Sequence, residues 1–218
     1  MTGPARRASD LSLRRVADLL RSGGCPDDRD FDQFLPRGLQ PVSYCHWTPI
    51  AAVARAATWL NELKVRSVVD VGSGAGKFCV AAALASGCHF LGVEHRPDLV
   101  AGARLLAKRF GVQDRVCFLQ EAFGDAAPPP AEAYYLYNPF EENLSDGDQS
   151  LDAKVELSDE RYLRDVSAAE HWLGLAPVGT YVLTYNGFGG ELPCTYEELR
   201  SERELPSVLR LWRKASDS

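Results

Sequence analysis

The chain has 218 residues, 45% of them hydrophobic and 25% charged, with a formal net charge of −6. That length and apolar content suit one domain with a sizeable core and short appendages. No apolar run approaches the roughly 18–20 residues that a membrane-spanning helix needs, and no ordered n-region, h-region and cleavage site occurs, so a cytoplasmic protein is expected. The six cysteines (Cys25, Cys45, Cys79, Cys88, Cys117, Cys194) form no C-x-x-C pair, and the four histidines lack metal-ligand spacing. They predict no disulfide framework and no metal site. The cysteines read as small buried hydrophobes in a reducing compartment.

In chain order, Leu11, Val16, Leu19 and Leu20 recur at roughly helical spacing among Arg6, Arg7, Arg14, Arg15 and Arg21. Asp10 and Asp18 argue against a transit peptide, so an amphipathic helix docked on the main domain is expected. Residues 25–45 are polar and turn-rich. Residues 1–47 thus read as a helical and loop extension, and 48–218 as the main domain. Thr48 suits an N-cap and Pro49 the first helical position; Ile50, Val53, Ala54, Ala57 and Leu60 then predict a helix to about Leu63. Because this helix leads into the first strand, its start falls at the carboxyl edge of the sheet, where ligands bind in open α/β folds. That places His46, Trp47 and Thr48 near a site. A capped helix with a buried tryptophan accounts for the same residues without one.

Val68-Val69-Asp70-Val71 predicts a buried parallel strand, followed by Gly72-Ser73-Gly74-Ala75-Gly76 and an alanine-rich helix. Glycines at alternate positions let backbone approach a ligand where a Cβ would collide with it. The dinucleotide spacing G-x-G-x-x-G would need a third glycine at Lys77, which is absent. The second strand, Cys88–Val93, ends at Glu94, about twenty residues past the glycines, where a carboxylate can accept both ribose hydroxyls. Pro97 starts a helix that Gly111 closes. Val116-Cys117-Phe118-Leu119 is the third strand, with Gln120 and Glu121 at its end.

Pro128-Pro129-Pro130 is a stiff connection. Ala133–Tyr137 is the fourth strand, running into Asn138-Pro139-Phe140. Proline halts the ladder and pushes Asn138 out of the helical region, so that carbonyls there can face a ligand. A proline-stopped strand with a core phenylalanine is the alternative. Eight acids and one lysine lie between Glu141 and Glu160. Such a segment disfavours a nucleic-acid substrate and suits a cationic amine or a basic protein. Ser158 caps a helix with Tyr162, Val166, Ala169 and Leu173 on its inner face. Tyr181–Tyr185 is the fifth strand, Asn186-Gly187-Phe188-Gly189-Gly190 a mobile loop, and Tyr196–Arg203 with Ser207–Trp212 a terminal antiparallel hairpin.

The glycine loop after Asp70, with Glu94 one βα unit later, resembles the class I S-adenosylmethionine (SAM) dependent methyltransferases. The likeness covers roughly Thr48 to Trp212. It implies a Rossmann-like, doubly wound α/β fold: a mostly parallel seven-stranded sheet ending in an antiparallel hairpin. It implies SAM as cofactor, held by Asp70, Gly72, Ser73, Gly74, Gly76 and Glu94, with Glu121 or Gln120 at the adenine amino group and Asn138, Trp47 and Thr48 near the rest. Asn138-Pro139-Phe140 resembles the N-P-P-F/Y motif of methyltransferases acting on amino nitrogens, with one proline missing. The chain is also similar to small bacterial methyltransferase-domain proteins with a Y-N-P-F turn and a G-F-G-G loop. It is distantly similar to the telomeric-silencing type of histone lysine methyltransferase, which has N-N-F where this chain has Asn138-Pro139-Phe140. The likeness implies methyl transfer to an amine of a protein or a small molecule by direct displacement, with Tyr137, Asn138, Pro139, Phe140 and Tyr185 forming the acceptor wall. An NAD(P)-dependent oxidoreductase and a non-catalytic SAM-binding or partner-binding module are the alternatives.

Overall fold

The computed structural model describes residues 12–122, 128–140, 158–204 and 206–217. The first eleven residues and most of the acidic segment, 141–157, lie outside the described residues. The helices are α1 (Leu13–Arg21), α2 (Asp28–Asp32), α3 (Ser43–His46), α4 (Ile50–Glu62), α5 (Lys77–Ala85), α6 (Pro97–Phe110) and α7 (Asp159–Leu175). The strands are β1 (Ser67–Val71), β2 (His89–Glu94), β3 (Val116–Gln120), β4 (Ala133–Leu136), β5 (Tyr181–Tyr185), β6 (Tyr196–Glu204) and β7 (Ser207–Lys214). They form one sheet in the order β3-β2-β1-β4-β5-β7-β6. The first five strands run parallel to their neighbours, and β7 is antiparallel to both β5 and β6. The expected seven-stranded sheet with an antiparallel end is therefore present.

Alternating residues of the central strands serve two cores, as the two-residue period of a strand requires. Val68, Ala133, Tyr135, Leu183 and Tyr185 face a large cluster with α1, α4, α5 and α6. Val69, Val71, Tyr134, Leu136 and Val182 face a smaller cluster with Val166, Ala169, Trp172 and Leu173 of α7. Helix α5 is enclosed all round: eight of its nine residues are buried. Its run of alanines lets the sheet, α4 and α6 approach closely.

Residues 12–47 are more ordered than their polar composition predicts. Val16, Ala17 and Leu20 of α1, with Phe31 and Leu35, belong to the larger core. Phe31 stacks on Phe110 of α6 at 5.0 Å between ring centroids. The cysteine expectation holds only in part. Cys79 and Cys88 are buried, but Cys25, Cys45, Cys117 and Cys194 are exposed, and all six are free thiols. Cys117 lies on β3, the outer strand, where one face lacks the cover that the central strands have.

The N-terminal segment is pinned by a buried ion cluster. The Lys77 side chain is 1% exposed, and its Nζ lies 2.6 Å from Asp28 Oδ1 and 2.8 Å from Asp32 Oδ1. It also donates to Ser43 Oγ at 3.2 Å. Asp28 Oδ1 accepts the Ile50 amide at 2.9 Å. This corrects the expected capping of α4. Pro49 is the N-cap position rather than the first helical residue, and it offers no side-chain bond. The cap comes from Asp28, twenty-two residues upstream, while Thr48 bonds elsewhere. Removing a cap costs about 1 kcal/mol, and breaking a buried ion pair costs more. Asp28→Ala does both, with Asp32 left to hold Lys77. We expect a loss of about 2–3 kcal/mol in urea unfolding; a loss under about 0.5 kcal/mol, the range of ordinary surface changes, contradicts the pinning role.

Candidate functional site

The carboxyl edges of β1, β2, β4 and β5 gather most of the residues singled out in the sequence. The loop after β1 crosses to β2: the amides of Gly72 and Ser73 both donate to the Val93 carbonyl, at 2.9 and 3.0 Å. Gly72, Gly74 and Gly76 all have positive φ, at 76°, 54° and 78°. Their immediate reason is the protein itself. A Cβ on Gly72 would meet Pro139 Cβ at 2.8 Å, and one on Gly74 would run into the Trp47 indole nitrogen. The glycine loop thus lies against Trp47 on one side and the Asn138-Pro139 turn on the other.

Glu94 is 5% exposed. Its carboxylate accepts the Gly74 amide at 3.0 Å and the Arg96 amide at 2.9 Å, so it fixes the loop from below. Burial raises its pKa, opposed by the Arg96 amide bond and by the Arg96 charge. Asp70 is 3% exposed and accepts the Cys79 thiol proton at 3.2 Å. Burial, with a smaller repulsion from Glu94, pushes its pKa up to about 7, despite the Cys79 bond. Two carboxyls thus lie near one glycine loop, and burial together with their proximity favours the protonated form of Asp70. Glu121 is exposed at the end of β3, and its amide donates to the Glu94 carbonyl at 3.1 Å.

The edge beside the Asn138-Pro139 turn is built on aromatic contacts. The Thr48 and Tyr135 hydroxyls are 2.5 Å apart. Tyr135 in turn stacks on Phe78 at 3.6 Å. Tyr137 donates to the Cys45 carbonyl at 3.3 Å and packs edge-on against Tyr185, ring centroids 5.0 Å apart. Asn138 has φ +38°, in the left-handed region, and its amide donates to the Gly187 carbonyl at 3.0 Å. A non-glycine residue there carries strain that the surroundings must hold, which is common at functional turns. Phe140 departs from the wall expected of it: it is 4% exposed, packed in the smaller core with Val71, Leu136 and Phe188. The loop after β5 is also more tightly held than the expected mobile segment. Phe188 is 2% exposed, Tyr162 reaches the Gly189 carbonyl at 3.5 Å, and Glu170 accepts the Glu191 amide at 2.8 Å.

Several contributors carried little sequence signal. Cys79 reads as helix core until β1 places Asp70 beneath it. Arg55 of α4 and Glu202 of β6 meet at 2.6 Å only because the terminal hairpin folds back over α4. Among the described residues, no group of histidine, cysteine and acidic side chains could hold a metal ion, and no helix is long and apolar enough to cross a membrane.

Solved structures share this architecture. An RNA methyltransferase from Salinibacter ruber, in complex with S-adenosyl-L-homocysteine, superposes with a TM-score of 0.52 at 23% identity, covering 73% of this chain and 90% of that one. The mitomycin 7-O-methyltransferase MmcR gives 0.56 at 18% identity over 95% of this chain, which spans 62% of that enzyme's length. An O-methyltransferase family 2 protein from Planctomyces limnophilus, in complex with apigenin, gives 0.54 at 17% over 86% of this chain and 63% of that one. The fold is that of the class I methyltransferases. No family model matches the sequence, and no curated protein matches it.

The Asp70 environment makes a pH prediction. Its ordinary pKa is 3.8 and its folded one about 7, so between these values the folded state binds the extra proton. This group's contribution to stability therefore falls as pH rises from about 4 to about 7 and is level above, with a slope of at most about 1.4 kcal/mol per pH unit. Urea unfolding at pH 5, 6 and 8 should show Asp70→Asn gaining on the wild type as pH rises. Parallel pH profiles for the two proteins would show that Asp70 is not a buried acid.

Proposed function

We propose that the protein is a SAM-dependent methyltransferase that acts on an amino nitrogen, of a small amine or a protein side chain. The carrying observation is the single edge at which the glycine loop, its two buried carboxyls and the Asn138-Pro139 turn meet. Gly72 lies under Pro139, and Gly74 is held by Glu94. SAM is a cation whose sulfonium carries the transferable methyl. The glycine spacing, which lacks the third glycine of the dinucleotide pattern, and the Asn138-Pro139-Phe140 turn favour SAM over the NAD(P) alternative.

In this reading Glu94 accepts the ribose hydroxyls with the lone pairs that Gly74 and Arg96 leave open, and Glu121 faces the adenine amino group. Trp47 and Thr48 flank the loop. Asn138 sets an acceptor amine in line through its side-chain oxygen and neighbouring carbonyls, and the Tyr137–Tyr185 pair walls the approach. Near-attack alignment of this kind can lower a barrier by roughly 7–11 kcal/mol. A neutral amine needs no strong base; its proton passes to solvent after transfer. Phe140 supports the turn from the core rather than touching the acceptor. The net charge of −6 and the acidic residues after the turn argue for an amine rather than a nucleic-acid acceptor.

S-adenosylhomocysteine at 100 times its dissociation constant should stabilise the protein by about 2.7 kcal/mol, seen as a rise in Tm. A rise with NAD and none with S-adenosylhomocysteine or SAM contradicts the reading. Glu94→Gln keeps the side chain's shape and removes its charge; calorimetry should show about tenfold to a hundredfold weaker S-adenosylhomocysteine binding.

Asn138 needs a different substitution, because alanine is strained at φ +38°. Asn138→Gly deletes the side chain and relaxes the backbone. It should leave cofactor affinity within a few-fold and lower methyl transfer about 10²-fold. Normal turnover in the glycine variant would make the turn purely structural.

A further inference from the structure

The chain from Ser43 to Ile50 crosses the carboxyl edge of the sheet between two fixed points. Its start is held by Lys77, whose Nζ donates to Ser43 Oγ at 3.2 Å. Its finish is held by Asp28 Oδ1, which accepts the Ile50 amide at 2.9 Å and pairs with the same Lys77. The Thr48 hydroxyl, bonded to that of Tyr135, adds a second hold at the finish. Both ends therefore rest on buried partners. The residues between them, 44–47, are held much more lightly.

Two contacts tie that middle to the site. The Cys45 carbonyl accepts the Tyr137 hydroxyl at 3.3 Å, and the Trp47 indole lies on Gly74. Solvent lies on the other side: Tyr44 is 83% exposed, and Cys45 is exposed as well. Helix α3 is a single turn, closed by the Trp47 amide on the Ser43 carbonyl at 3.0 Å. Segments with few backbone hydrogen bonds open at a lower free energy than the core. Trp47 also fills the room that glycine leaves. A Cβ at Gly74 would run into the indole nitrogen, so a ligand that reaches the Gly74 backbone from this side displaces the ring.

We propose that residues 44–47 are a strap that lifts from the glycine loop to admit the cofactor and closes over it again, with Tyr137 as its latch. Lifting unwinds one helical turn, breaks the Tyr137 bond to Cys45 and withdraws the indole. The Lys77 cluster stays paired throughout, so no buried charge is left without a partner. The inference rests on the methyltransferase reading for what the strap admits, but not for the lifting itself.

The test is amide hydrogen exchange of the full chain by NMR, read at Trp47 and referred to Leu60 in α4 and Val80 in α5. In the free protein the Trp47 amide should exchange about tenfold or more faster than the two references, through an opening that low urea barely promotes. Tyr137→Phe should speed Trp47 exchange a few-fold, the worth of one hydrogen bond, and leave Leu60 and Val80 unchanged. S-adenosylhomocysteine at about 100 times its dissociation constant should slow Trp47 exchange about tenfold or more. Exchange of Trp47 at the rate and urea dependence of the references, no effect of Tyr137→Phe, or unchanged Trp47 exchange once calorimetry shows S-adenosylhomocysteine bound each overturns the proposal. No heat with S-adenosylhomocysteine removes the cofactor reading instead, and the exchange of the free protein and of Tyr137→Phe still decides the strap.

Discussion

A single buried ammonium ties the site together. Lys77 begins α5 directly after the glycine loop and has almost no contact with solvent. Taking such a charge from water costs several kcal/mol unless it is fully partnered. Its partners, Asp28, Asp32 and Ser43, all come from the segment before the main sheet unit. Because Asp28 also caps α4, the same carboxylate sets where that helix starts. The start of α4 in turn places Trp47 on Gly74 and Thr48 on Tyr135. Residues 12–47 are therefore not an appendage in energetic terms: they share the larger core and set Trp47 against the glycine loop.

Negative charge is distributed unevenly around that loop. The single charge of Lys77 is shared by Asp28 and Asp32, while Asp70 has a thiol donor and Glu94 has amides and the neighbouring Arg96. Burial pushes the Asp70 pKa up to about 7, so the glycine loop does not rest on two fixed negative charges.

Much of this was legible in the sequence wherever the signal is local. Strand β5 spans the predicted Tyr181–Tyr185, Gly111 closes α6 with φ 66°, and Ser158 caps α7 by accepting the Arg161 amide at 3.2 Å. The seven-stranded sheet with an antiparallel end was expected from the class I resemblance, whereas its strand order comes from the structure. What was hidden depends on distant residues. Thr48 carries the side chain of an N-cap, but Tyr135 claims it and Asp28 supplies the cap instead. Phe140 follows a turn whose sequence suggests a ligand contact, yet it packs into the second core. Cys117 alternates like a core residue, but it sits on an outer strand. The pairing of Arg55 with Glu202 requires the hairpin's path, which no local pattern encodes.

The central claim is that the edge shared by the glycine loop and the Asn138 turn transfers a methyl group from SAM. Its most direct test is to incubate the protein with methyl-labelled SAM and a lysate of its host lacking the protein, then separate low-mass from macromolecular products. The account predicts label on an amino nitrogen, in either a low-mass or a protein product. Absence of label from every product, with cofactor bound to the protein, would contradict it.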